Sequence, residues 1–240
     1  SWNLDEVECQ GLEEGDGIRL QGVKCFVQDL AMAKWVVVSA KIEGATRLMV
    51  LDMTEVPETH YSREVVIDET RRSFRLNLDG LTVPKENLLI GTDFQSLESA
   101  ALLMLCAEIS GGLMGVLPVI VEYLNTRKAF DRTIGSYQAL KHPTVDILMS
   151  LEGARSHLYH ASTLLSQGKL EEFESAVRMA KAQGSEAFAF AGDRAVQFHG
   201  GFGFTYECDA QLFLRRALWC QYQFGDERYH RQWLAGALFD

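Results

Sequence analysis

The apolar residues of this chain repeat with two different periods, and the change falls near Gly91. Before it the pattern is that of short strands. Ile18-Arg19-Leu20-Gln21-Gly22-Val23-Lys24-Cys25-Phe26-Val27 alternates apolar and polar side chains apart from its last pair, as a strand with one buried face does. Trp35 to Val38, Leu48 to Leu51, Val65 to Ile67, Phe74 to Leu78 and Leu81 to Val83 are further short apolar or β-branched runs. Gly15-Asp16-Gly17, Ile42-Glu43-Gly44 and Leu78-Asp79-Gly80 supply turn chemistry between them. Several short strands at this spacing predict an antiparallel barrel or sandwich over residues 1–91, with Pro84 closing a strand.

Residues 92–240 read as helix. The spacing predicts helices from about Phe94 to Lys128, Ser136 to Ser166, Leu170 to Phe198, Asp209 to Gln221 and Glu227 to Phe239. Thr92-Asp93 is placed to cap the first, and Gln167-Gly168-Lys169 and His199-Gly200-Gly201 break the chain between later ones. Glu171 and Glu172 sit where the helix dipole favours acids. Long helices with short connections make a bundle. The fold class is therefore α+β: a β-barrel or sandwich domain followed by a four-helix-type bundle.

Composition narrows the function. With 23 Lys+Arg against 33 Asp+Glu the formal charge is −10, which argues against a phosphate-neutralising surface, so nucleic acid is not an expected partner. Five cysteines, none in a CxxC, suggest reduced thiols and cytoplasmic residence rather than a disulfide framework or zinc site. No basic-then-apolar leader is present, and the longest apolar run, Ala100 to Val121, carries Glu108. Neither a secretory signal nor a membrane span is expected. His157 and His160 are spaced i, i+3 on a helix but lack a matching carboxylate, so they read as a packed or solvated pair and no metal is expected.

Four motifs then carry a resemblance. Arg127-Lys-Ala-Phe130-Asp-Arg-Thr-Ile134-Gly-Ser-Tyr-Gln138 resembles R-x-x-F-G-x-x-I-x-x-x-Q, and Gln197-Phe-His-Gly200-Gly201-Phe-Gly203-Phe204 resembles Q-x-x-G-G-x-G-[YF]. Gly22-Val-Lys24-Cys-Phe-Val resembles G-x-K-x-[FWY]-[IV], and Leu78-Asp79-Gly80-Leu-Thr-Val83-Pro84 the usual exit from a middle β domain. In this order they are similar to the acyl-CoA dehydrogenases. The resemblance implies FAD as cofactor, an acyl-CoA thioester as substrate, and an electron-transfer flavoprotein-type acceptor. It also implies roles. Arg127 contacts the flavin nucleotide's pyrophosphate, a task for which a guanidinium fork is suited. Phe130 packs near the adenine side, with Ile134 completing the motif. Gln138 and Gln197 mark the nucleotide portion, and Gly200 and Gly201 allow its close approach, usually from a neighbouring subunit. Asp131 stands where the family has Gly, a carboxylate beside a pyrophosphate. The family's N-terminal helical domain has no counterpart in these residues, and Ser1 in place of Met fits a trimmed piece or a short subunit.

The catalytic base is the second departure. Desaturation needs a carboxylate to take the α-proton while a hydride leaves the β-carbon. The family's aromatic-Glu-Gly-Thr stretch reads Gln221-Tyr222-Gln223-Phe224-Gly225-Asp226 here, so Phe224 stands in the base position. The alternative position on the long helix holds Ala101. Glu98 is kept as a candidate one turn out of register; Glu108, Asp226 and Glu227 are the other acids at hand. Phe224 to Ala235 and Gly203 to Ala210 resemble actinobacterial dehydrogenases acting on steroid side-chain CoA esters, many of them heterotetramers with one base-less subunit. The expected reading is a subunit that shares an FAD site with a homologous partner. A self-sufficient enzyme with a relocated base and a flavin-free scaffold remain the alternatives.

Overall fold

The computed structural model of the chain describes residues 6–91 and 94–239, and the chain divides into two compact units, Ser1–Phe94 and Gln95–Asp240. The capping pair Thr92-Asp93 lies outside the described residues.

The first unit holds β1 (Gln10–Glu14), β2 (Gly17–Gln21), β3 (Val23–Gln28), β4 (Trp35–Ile42), β5 (Ala45–Asp52), β6 (Tyr61–Glu64), β7 (Ser73–Asn77) and β8 (Thr82–Pro84). They form a five-stranded sheet ordered β5-β4-β1-β2-β8 and a three-stranded sheet ordered β3-β7-β6. Neither closes into a barrel. Pairing is antiparallel except between β1 and β4, which run parallel through Gln10 and Lys41. Period 2 is visible in the burial. Ile18 and Leu20 of β2 and Val38, Ala40 and Ile42 of β4 face a core completed by Met49, Leu76, Leu78 and Val83. Each such large side chain, fully buried, contributes about 1.5–3 kcal/mol.

Three expectations need correction. The alternating run from Ile18 to Val27 is two strands in two sheets. Gly22, at φ 121, turns the corner, and a Cβ there would lie 2.9 Å from Cys9 Sγ. The broken alternation at Phe26-Val27 is a bulge: pairing with β7 shifts between Lys24 and Val27, and Phe26 takes φ 58. Val65 to Ile67 is not a strand. The register Tyr61↔Leu76 to Glu64↔Ser73 puts the pairing four residues earlier and leaves Val65 exposed. β-Propensity alone does not decide which neighbouring run finds a partner.

The second unit holds α1 (Phe94–Thr126), a small hairpin of β9 (Lys128–Ala129) and β10 (Arg132–Thr133), α2 (Gln138–Ser166), α3 (Leu170–His199), α4 (Ala210–Tyr222) and α5 (Glu227–Phe239). The buried stripe of α1 is Leu102, Cys106, Ile109, Leu113, Val116, Ile120 and Leu124, steps of three and four that keep one face inward. α3 packs on α2, α4 and α5. Its small residues permit close approach: a Cβ on Gly192 would sit 2.8 Å from the Leu214 Cα of α4. By length and composition alone α1 is apolar enough to cross a membrane, with mean hydropathy 1.9 over its best stretch. That differs from the expectation, which counted Glu108 as disqualifying. Glu108 accepts a hydrogen bond from Arg216 of α4 at 2.7 Å. The five cysteines are free thiols.

Candidate functional site

Two motifs far apart in sequence meet in the helical unit. α1 ends one residue before Arg127, whose N–H still donates to Tyr123 O at 2.9 Å. The chain then reverses through Phe130 (φ 54) and Asp131 (φ 62), and Ile134 N–H donates back to Arg127 O at 2.8 Å. Two successive left-handed residues make the two-residue turn that suits hairpin twist, and Asp is among the side chains that tolerate it. The glycine of the R-x-x-F-G pattern thus sits where the backbone itself favours glycine. Tyr137 braces the hairpin, its hydroxyl donating to Ala129 O at 3.1 Å and its ring lying 4.0 Å beneath the Arg132 guanidinium.

From the other side, α3 stops at His199. Gly200 takes φ 61, ψ −143, a backbone state open to glycine, and its N–H donates to Gln197 O. A Cβ on Gly203 would lie 2.3 Å from Val196 O, so no larger residue fits there. Gly201 is different. Its φ is not in the left-handed region, and a Cβ there would meet nothing within 4 Å. Among the described residues no atom lies within 4 Å of where that Cβ would be, so the backbone at 201 is open to approach.

Between the motifs lies an open cleft of about 360 Å³. Arg127, Ile134, Gly200 and Gly201 line it, together with Tyr123, Phe198, His199 and Phe202. The structure therefore brings four of the expected nucleotide residues to one place. Phe130 stands at the hairpin tip, 90% exposed, and Gln138 and Gln197 are exposed at helix ends without lining the cleft. Among the described residues the Arg127 side chain has no ion-pair or hydrogen-bond partner. His199 and Tyr123 were not anticipated. Their rings stack at 4.0 Å and 26°, and His199 Nδ1 lies 2.7 Å from Ala195 O. The signal for Tyr123 was its place one helical turn before Arg127.

The acids lie elsewhere and are engaged. Glu98 accepts from the Arg178 guanidinium at 2.9 Å, and Arg178 is also held by Glu174 at 3.1 Å and stacks on Trp233. Along α1 Glu98 and Arg127 are separated by roughly 40 Å of helix rise. Asp226 Oδ1 accepts from Tyr229 N–H at 2.9 Å, capping α5, and Glu227 accepts from Gln221 at 2.9 Å. Phe224 (φ 56) is half-exposed on a turn that Lys181 secures from below. The fully buried Lys181 ammonium donates to Ser185 Oγ, Gln221 O and Gly225 O at 2.9, 3.0 and 2.7 Å. Burial pulls its pKa down to about 8. Beside it, burial and then the Lys181 and Arg178 charges push His230 down to about 3. The Cys106 thiol, desolvated in the same interior, rises to about 12.

Residues 100–239 match the family described as acyl-CoA dehydrogenase, C-terminal domain. The acyl-CoA dehydrogenase IpdE2 of Mycolicibacterium smegmatis is 33% identical over 135 residues, 56% of this chain and 41% of that protein. The acyl-CoA dehydrogenase FadE12 of Mycobacterium tuberculosis is 28% identical over 222 residues, 85% of this chain and 56% of that protein. This chain spans about half the length of these curated relatives. Among solved structures, a chain of the ChsE4-ChsE5 complex from Mycobacterium tuberculosis superposes with a TM-score of 0.87 at 23% identity, covering 96% of this chain and 62% of that one, a likeness of fold. By sequence match over more than half its length, with the expected order of β unit and helical unit, the chain belongs to the acyl-CoA dehydrogenase family.

Proposed function

We propose that this chain supplies part of a shared FAD site in an acyl-CoA dehydrogenase, and that a homologous partner subunit supplies the proton-abstracting carboxylate. The observation that carries the reading is the cleft, where Arg127 and Ile134 of one motif face Gly200 and Gly201 of the other. The donor set fits a dinucleotide: an unpaired guanidinium for the pyrophosphate, and a glycine whose missing side chain leaves room for close approach. When bound, FAD supplies the hydride acceptor for desaturating the acyl thioester, and an electron-transfer flavoprotein-type protein takes the electrons on. This chain's own work is to bind and orient. Arg127 holds the phosphates, Tyr123 and Phe198 wall the cleft, and Phe224 offers no proton acceptor where the family pattern has one.

Assembly as a heterotetramer follows from the same reading. α1 and α2 leave Met104, Met114, Val145 and Met149 more than half exposed, apolar area that a homologous subunit would cover. α1 is read as a core helix rather than a membrane span, because its inward stripe is filled and Glu108 is paired with Arg216. The division into a β domain, 1–91, and a bundle, 92–240, is kept as the functional division. A steroid side-chain or similarly bulky CoA ester is the substrate class, and the cytoplasm the compartment, in keeping with the free thiols.

The test is flavin retention. Arg127→Ala is expected to weaken FAD binding in the assembled protein by about 1.5–3 kcal/mol, the scale of a charge-assisted hydrogen bond. Flavin absorbance after gel filtration reads it, and unchanged occupancy would make Arg127 only a helix-end charge.

A further inference from the structure

His199 is 6% exposed, and its ring is fixed on two sides. Tyr123 stacks on one face at 4.0 Å, and Nδ1 lies 2.7 Å from the Ala195 carbonyl oxygen. A carbonyl only accepts, so Nδ1 carries its hydrogen in both protonation states. The proton that comes and goes is therefore the one on Nε2. The hydrogen bond found for the ring among the described residues is that of Nδ1, and His199 lines the cleft with Arg127. Neutral, Nε2 presents a lone pair, which repels a phosphate oxygen. Protonated, it presents an N–H and a second positive charge.

We propose that His199 is a proton-gated phosphate contact: with Nδ1 locked to Ala195, its Nε2–H donates to the anionic part of the dinucleotide held by Arg127, so binding tightens as the ring protonates. The proposal rests on the FAD reading and adds the regulation of that site. The charges that bear on it are few. Arg127, from the end of α1, is the other cation lining the cleft. The nearest charges along α3, Asp193 and Arg194, are paired with each other. Tyr123 and the 200–203 turn bring no net charge. A bound pyrophosphate would bring negative charge into the cleft that His199 lines, and the coupling is reciprocal: whatever factor protonation adds to affinity, FAD must add to the proton's affinity.

The experiment measures FAD binding to the assembled protein between pH 5.5 and 8.5, a range in which the pyrophosphate diester itself does not titrate. The parent is expected to bind about tenfold more tightly at pH 5.5 than at 8.5, the low end of what a charged hydrogen bond contributes. His199→Gln should bind with no such dependence, and Arg127→Ala should bind more weakly throughout while keeping the slope. Because the glutamine cannot stack on Tyr123, a second measurement follows the His199 ring of the parent by nitrogen NMR. FAD should raise its titration midpoint by about one unit, the equivalent of tenfold. A parent curve without slope, the same slope in His199→Gln, or a midpoint that FAD leaves in place would each overturn the proposal while the FAD reading stands. Absence of FAD binding to the parent at every pH would overturn both.

Discussion

Turnover of an assembled dehydrogenase containing this chain is expected to survive neutralisation of each of its acids in turn, and to fall by a factor of roughly 100–10,000 when the partner's catalytic carboxylate is removed, the usual contribution of a general base. Glu98→Gln, Glu108→Gln, Asp226→Asn and Glu227→Gln should each leave kcat within about tenfold of the parent, a barrier change of about 1.4 kcal/mol. The geometry supplies the reason. Glu98 and Glu108 are committed to Arg178 and Arg216, Asp226 to the first turn of α5, and Glu227 to Gln221. Their loss is a matter of stability, most of all for Glu98, whose partner Arg178 is 3% exposed. Rates are therefore read per bound flavin, with an acyl-CoA and an artificial electron acceptor. If Glu98→Gln alone stopped the reaction while flavin stayed bound, the base would lie in this chain and a self-sufficient enzyme would be the better reading.

Acid should unfold the helical unit earlier than its surface charges alone require, and His230 should be the cause. Its side chain is fully buried, and burial together with Lys181 and Arg178 holds its folded pKa near 3 against an ordinary 6.5. Between those values the unfolded chain binds a proton that the folded chain refuses, so stability falls as pH drops through 6.5 and keeps falling to about 3. At pH 4.5, two units below the ordinary value, the loss from this group is about 3 kcal/mol. His230→Leu removes the titration and keeps an apolar filling. Urea unfolding followed by helix signal, for both proteins at pH 7 and 4.5, should show the parent losing about 3 kcal/mol more than the variant. Parallel losses would mean that His230 is protonated or solvated in the fold.

The helices were the legible part, because a buried stripe such as Leu102 to Leu124 declares its period over about six turns and cannot be satisfied by any other backbone. The strands were less so. β1 has one buried position, Gly11, with Leu12 turned outward, so no alternation marked it. Gly22 turns a sheet corner inside a run read as alternating up to Cys25, a choice made by tertiary packing against Cys9. In the cleft, arginine and glycines could be read from motif spacing, whereas the Tyr123–His199 stack depends on how α1 and α3 align across 76 residues. The Lys181 staple was invisible for a simpler reason: an isolated lysine in an alanine-rich helix reads as a solvated charge until three acceptors are seen around it.

That staple also dictates an order of events during synthesis. The cations of α3, Arg178 and Lys181, meet their full set of companions only when Gln221, Gly225 and Trp233 have been made, some 40 to 55 residues later. At about 5–20 residues per second, α3 waits several seconds with charges destined for the interior still needing water. Arg178 already has Glu98 of α1 and Glu174 beside it, so the cation left waiting is Lys181, whose acceptors Gln221 O and Gly225 O are still to be made. Docking of α3 before then would leave Lys181 with Ser185 alone, so a ribosome that stalls between residues 181 and 225 is expected to present a nascent bundle open to chaperones.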